Sequence, residues 1–215
     1  MYGEIFQVSE TARKTADGIK FKDGDDSWSF AETHVFSIRK PGVAAAGFKL
    51  FYFHAAKPGP ERRIWDELAI RGDIHIVRLG RQNAFASYVS EERARLTQEW
   101  HPKPDSSSYE APVQLEINVA IAKRFIEKIA NYDRRVADLA RNHPIFSLDY
   151  EDLLADSATH LSGVLKFLNV SVESFEPAAF IEGSTSPGRT IIRNIDEVGA
   201  MLETEGKGWM LDPYR

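Results

Sequence analysis

A strand-length apolar run that passes through a single glycine directly into a helix constrains this chain more than any other feature. Residues 73–101 read DIHIVRLGRQNAFASYVSEERARLTQEWH. Ile74, Ile76, Val77 and Leu79 form the apolar run, and Gly80 breaks it before Arg81, Gln82 and Asn83. Asn83 is the predicted N-cap. A helix beginning there turns its free backbone N–H groups and positive dipole end toward whatever lies beyond the carboxyl end of the strand. Arg81 adds a fork of donors at the same place. The expected guest is an anion. Ser87 and Ser90 are three residues apart on one helix face, so a hydroxyl can join the arginine on one ligand group.

Bulk properties narrow the field. A chain of 215 residues suits one domain and can bury a sizeable core. Its formal net charge of -5 argues against a general nucleic-acid binder, although a single nucleotide needs only a local basic pocket. With no cysteine there is neither a disulfide framework nor a thiolate zinc site, which fits a cytoplasmic protein. No apolar run has the length of a membrane span, and the first residues lack the pattern of a signal peptide. The stretch KDGDDS at 22–27 lacks the later glutamate of a calcium loop, so no metal is expected.

The remaining chain alternates between strand and helix patterns. Residues 46–54, AGFKLFYFH, read as a second strand with His54 at its end, and 31–39 read as a short helix. Residues 61–71 form an amphipathic helix with Ile64, Trp65, Leu68 and Ala69 on one face. It would lead into the 74–79 strand as a right-handed β-α-β crossover. A long helix is predicted over 114–142, with Lys123, Arg124, Lys128, Arg134 and Arg135 on a solvated face. His143 and Pro144 end it, 145–148 make a third strand, and DYEDLLAD opens a further helix whose first turn carries Glu151 and Asp152. Those two acids read as structural. Residues 102–112, PKPDSSSYEAP, form an exposed loop, and 161–170 another apolar helix.

Several of these stretches together resemble bacterial PAPS-dependent sulfotransferases of the trehalose 2-sulfotransferase and nodulation or lipopolysaccharide type. The resemblance lies in R-x-N at 81–83, aromatic-V-S at 88–90 and A-x-x-T-x-x-W-H at 94–101. It extends to G-F-K at 47–49, Y-E-D-L at 150–153, K-F-L at 166–168 and I-x-N-x-x-E-V at 192–198. It implies a three-layer α/β fold, P-loop-NTPase-like, with a mainly parallel sheet flanked by helices. It also implies sulfuryl transfer from 3′-phosphoadenosine 5′-phosphosulfate (PAPS) to a hydroxyl of a carbohydrate or glycolipid, leaving 3′-phosphoadenosine 5′-phosphate. By this resemblance Arg81 and Ser90 hold the 3′-phosphate; Arg78 with Ser87 keeps the same nine-residue spacing, and the two registers stay open. Glu4, in G-E-x-F, matches the general base that takes the acceptor proton. His54 and His101 either contact the acceptor or pack, and Arg189 and Arg193 would reach the nucleotide.

One departure stands out. The R-x-G-S-x-x-L loop that holds the 5′-phosphosulfate in such enzymes does not occur in the chain, so 1–215 reads as a single sulfotransferase-like domain lacking that N-terminal loop. Two expectations follow. The chain is either a sulfotransferase or a non-catalytic nucleotide- or partner-binding remnant of one, with no metal, no nucleic-acid partner, no transmembrane segment, and self-association left open.

Overall fold

The structure is a computed structural model and describes residues 25–37, 41, 43–54, 58–98, 100, 112–171 and 190–215. The chain divides into two compact units. Met1–Ile76, Arg135–Phe146 and Val164–Glu173 make one; Val77–Arg134, Ser147–Gly163 and Ser174–Arg215 make the other.

In the first unit, Asp26 accepts the Ser29 N–H at 2.7 Å and so caps α1, Ser27–Ala31, which continues as a π-helical turn over Glu32–Phe36. Gly59, at φ 146, supplies a backbone conformation open to glycine, and Pro60 then starts a 3₁₀ turn, Pro60–Arg62, that runs into α2, Arg63–Ile70. Ile64, Trp65 and Leu68 recur at helical spacing, which is why this helix buries them with Trp28, Phe30, Ala31, Val35 and Leu139. The expected 61–71 helix is therefore present. Ser27 is fully buried, and its hydroxyl accepts the Ile64 N–H at 2.8 Å, satisfying one of the orphan donors at the start of α2. His143 ties off the other end, its two ring nitrogens lying 2.7 Å from the Leu68 carbonyl and 3.0 Å from that of Ile74.

The strand expected over 46–54 does not form. Residues 43–51 have no regular structure, and 52–54 make a turn. The alternation itself is real: Phe48, Leu50 and Tyr52 pack on the core cluster, while Phe51 and Phe53 stack on each other at 5.2 Å in the open. A strand is made by ladder bonds to a neighbouring strand, and neither sheet among the described residues includes this segment. The β-α-β crossover that depended on it is absent there too.

Among the described residues, two short pairs of strands supply the β structure. β1, Ile76–Gly80, lies beside a strand over Ile145–Asp149. The Ile76 N–H donates to the Pro144 carbonyl at 3.0 Å near their starts, and Arg78 meets Asp149 near their ends, so the two run the same way. After β1, Asn83 caps α3, Ala84–Thr97, as its sequence predicts. β2, Val113–Leu115, comes next and pairs in parallel with Thr190–Ile192, Val113 opposite Thr190 and Leu115 opposite Ile192.

The long helix is α4, Val119–Leu139, shorter than the expected 114–142 because the first of those residues belong to β2. Asn118 starts it by accepting the Ile121 N–H at 3.1 Å. The strand over Ile145–Asp149 is β3, followed by α5, Tyr150–Ala155, and α6, Ser157–Phe167. Asp156 accepts the Thr159 N–H at 3.0 Å, so α6 begins earlier than the expected 161. β4, Thr190–Ile192, α7, Ile195–Thr204, and a 3₁₀ segment over Gly208–Tyr214 complete the chain.

The core of the second unit joins Phe85, Tyr88 and Val89 of α3 to Leu115, Ile126, Ile192, Leu202, Met210 and Leu211. Each fully buried side chain of this size contributes about 1.5–3 kcal/mol relative to exposure. The class is α/β. No helix among the described residues is long and apolar enough to cross a membrane.

Candidate functional site

The β1–α3 junction and the β3–α5 junction lie side by side in the second unit, and their charged residues alternate in sign. Period-two alternation along β1 leaves Val77 and Leu79 exposed and half-buries Arg78 and Gly80. The Arg78 guanidinium reaches Asp149 at 3.1 Å and Asp133 at 2.5 Å. Glycine at position 80 makes room for this, since a Cβ there would stand 2.5 Å from the Arg78 guanidinium nitrogens.

Arg81 leaves the strand with its guanidinium over the Tyr150 ring, 4.8 Å from the centroid. Its Nε lies 3.6 Å from a Glu151 carboxylate oxygen, beyond hydrogen-bonding distance. That nitrogen is enclosed and has no hydrogen-bond partner. Glu151 instead accepts the backbone N–H of Gln82 at 3.0 Å and that of Asn83 at 3.5 Å. The amides expected to meet a ligand anion therefore already hold an internal carboxylate.

Asn83 works in two directions. Its Oδ1 accepts the Ala86 N–H at 2.9 Å, and its Nδ2 donates to the Met210 carbonyl at 2.8 Å. Three residues beyond Met210 stands Pro213, which has no N–H to offer that carbonyl in a 3₁₀ turn. At the end of the same turn, Tyr214 sits edge-on to Phe85 with centroids 5.7 Å apart. Its hydroxyl, like Arg81 Nε, is enclosed without a partner. Burial pushes its pKa up to about 12, opposed by the positive charge of Arg81, so the phenol is a neutral donor near neutral pH.

Ser87 and Ser90 are both half-buried on α3, and the Ser87 N–H bonds the Asn83 carbonyl at 3.2 Å. Three residues past Ser90, Arg93 is 1% exposed and donates to the Thr190 hydroxyl at 3.3 Å. Arg193 stands exposed on the turn after β4, its N–H donating to the Leu115 carbonyl at 2.9 Å. His54 belongs to the first unit, where it is buried edge-on to Phe51 and Phe53 and its carbonyl accepts the Trp65 indole N–H at 2.8 Å. Glu4, His101 and Arg189 lie outside the described residues.

The junction thus gathers Arg78, Arg81, Asn83, Ser87 and Ser90 on one strand–turn–helix, and sets Asp149, Tyr150 and Glu151 against it. Sequence reasoning missed Tyr150, Glu151 and Tyr214 as members of this group. The available signal was the run DYED at the carboxyl end of a strand, where acids have a basic neighbouring strand end to answer. Chemically, the guanidinium and the two helix-start amides already face one carboxylate, that of Glu151, so the junction is a donor set that suits an oxyanion. No family model matches the chain, and neither a curated protein nor a solved structure matches it.

Proposed function

We propose that this chain binds the 3′-phosphate of an adenosine donor at the β1–α3 junction and transfers a sulfuryl group from PAPS to a carbohydrate or glycolipid hydroxyl. The observation that carries the reading is Arg81, which emerges from a strand end beside a capped helix start, ion-paired with Glu151 but with its Nε–H in no hydrogen bond. Ser90, and with it Ser87, offers the hydroxyl of the resembled phosphate site. The Arg81–Ser90 register is favoured because Arg78 is spent on Asp133 and Asp149. The finer architecture belongs to the same proposal: β1 and β3 as part of a mainly parallel, P-loop-like sheet with helices on both faces.

In this reading the protein accelerates transfer mainly by positioning and charge stabilisation rather than through a covalent intermediate. Glu4 takes the acceptor proton as the oxygen attacks sulfur and the bond from sulfur to the 5′-phosphate oxygen breaks, and the departing 3′-phosphoadenosine 5′-phosphate stays anchored through its 3′-phosphate. Arg193, on the β4–α7 turn, contributes to the nucleotide, and His54 and His101 to the acceptor.

Calorimetry with 3′-phosphoadenosine 5′-phosphate tests the binding half. Arg81→Ala should weaken affinity roughly tenfold or more, as expected for a charge-assisted contact worth about 1.5–3 kcal/mol. Equal affinity in the two proteins would remove Arg81 from the site. Turnover is tested separately, by transfer of labelled sulfate from PAPS to a panel of sugars and glycolipids. Nucleotide binding without transfer to any of them would leave the non-catalytic form of the reading.

A further inference from the structure

We infer that His143 is a proton-dependent clasp in the first unit: doubly protonated, it bonds the carbonyls of Leu68 and Ile74 at once, and loss of one proton releases one of them. No residue of the proposed phosphate site takes part, so the clasp and the proposed function stand or fall separately.

His143 is 5% exposed, with Nε2 2.7 Å from the Leu68 carbonyl oxygen and Nδ1 3.0 Å from that of Ile74. A carbonyl oxygen only accepts, and a neutral imidazole has a single N–H. In either neutral tautomer one nitrogen therefore turns its lone pair on a carbonyl lone pair at bonding distance, a contact that must open. The imidazolium satisfies both oxygens. Its place favours the same form, because Leu68 lies in the last turn of α2, where the unpaired carbonyls carry the negative end of the helix. Asn142 secures the next carbonyl, that of Ala69, at 2.9 Å. On the elements that meet the ring, the Asp73 carboxyl is lowered first by its hydrogen bond from Arg71 and further by the His143 charge. Glu67 on α2 is paired with Arg63, Asp138 at the end of α4 with Arg141, and His75 packs edge-on to Phe167. Arg71, Asp73 and Ile74, in the loop that the clasp closes, line a cavity of about 550 Å³ together with Trp28 and Leu168, so the clasp fixes one wall of it.

A histidine that gains two acceptors on folding stabilises the clasped form fully in acid, below the ordinary histidine value of about 6.5, and loses that contribution as pH rises beyond it. Hydrogen exchange on the full chain, corrected for the intrinsic rate at each pH, reads the clasped segment at its two flanks. The reporters are the Arg71 N–H, bonded to the Glu67 carbonyl, and the Ile76 N–H, bonded to that of Pro144. Between about pH 6 and about pH 8.5 the protection of both should fall by about tenfold, the size of one lost hydrogen bond to a charged group. In His143→Gln, neutral throughout, protection should be the same at both ends of that range. Nitrogen NMR of the parent imidazole should show both ring nitrogens protonated at about pH 6 and one of them losing its proton over the range in which protection falls. A ring with a single proton at about pH 6, protection that does not change with pH, or the same fall in His143→Gln would each overturn the clasp. Should His143→Gln fail to fold by circular dichroism, the parent decides alone: coincident loss of the proton and of protection supports the clasp, and loss at separate pH values overturns it. His75→Asn is the control and should keep the whole pH dependence; its disappearance there would assign the effect to His75 and overturn the role of His143.

Discussion

Replacing Asn83 separates two bonds that one side chain makes, and the structure gives each a size. Asn83→Ala removes the cap on the Ala86 N–H, a loss of about 1 kcal/mol in most helices. It also strips the Met210 carbonyl of the amide donor at 2.8 Å, in a place where Met210 is 6% exposed and Pro213 offers no N–H three residues on. An orphaned buried acceptor costs about 1–3 kcal/mol, so the total is about 2–4 kcal/mol. Asn83→Ser keeps the cap and loses only the second bond, and should cost about 1–3 kcal/mol. Asn83→Asp keeps the acceptor but points a carboxylate at the Met210 carbonyl, and should be the worst of the three. Urea unfolding followed by circular dichroism gives these differences as midpoint shifts at constant slope. In a chain of this length each kcal/mol also moves the thermal midpoint by roughly 2–4 °C. A loss below about 1 kcal/mol for Asn83→Ala, or equal losses for Ala and Ser, would refute the division of labour.

Other perturbations follow from the same junction and from the first unit. Gly80→Ala sets a methyl against the Arg78 guanidinium and should drive it off Asp133 and Asp149; NMR should show both carboxylates losing their arginine contacts, and a spectrum unchanged around Asp149 would contradict the geometry. The two-point hydrogen bond from Arg71 lowers the Asp73 carboxyl to about 2 from its ordinary 3.8. A depressed carboxylate stabilises the fold above its unfolded value and loses that contribution as pH falls toward the folded one. The stability difference between the parent protein and Asp73→Asn should therefore be constant above about pH 5 and shrink on acidification through about 4 to 2. Because Asp73 is largely exposed, the effect should be small and should diminish with added salt. Arg71→Gln should return the Asp73 titration toward the ordinary carboxylate range.

What the sequence disclosed was mostly local chemistry. Asn83 could be named as a cap because its own side chain bonds the backbone three residues on, and α2 could be placed because Ile64, Trp65 and Leu68 repeat at helical spacing. The 46–54 segment misled because alternation reports which side chains face a core, not whether a second backbone lies within bonding distance. Residues 114 and 115 were absorbed into a helix because a three-residue strand is too short to interrupt a 3.6-residue period, and only β4, far along the chain, makes 113–115 a strand. Glu151 was placed correctly in a helix's first turn, but its target, the Gln82 amide 69 residues away, left no mark beside it in the sequence. The Arg93 guanidinium gave even less warning. An arginine on a polar helix reads as solvated, whereas here it is fully buried against the Thr190 hydroxyl.

The partners that complete the second unit are synthesised far apart. Asn194 bonds the Ile117 backbone across 77 residues, and Asn83 reaches Met210 across 127. As the chain leaves the ribosome, Phe85 and Leu115 emerge long before Ile192 and Leu211 exist to cover them. That apolar surface stays exposed to water and to other nascent chains until the last contributors arrive, so this unit should close late, slowly and in one step. Its yield in a cell should depend on holdase chaperones more than that of a protein whose helices pack with their sequence neighbours.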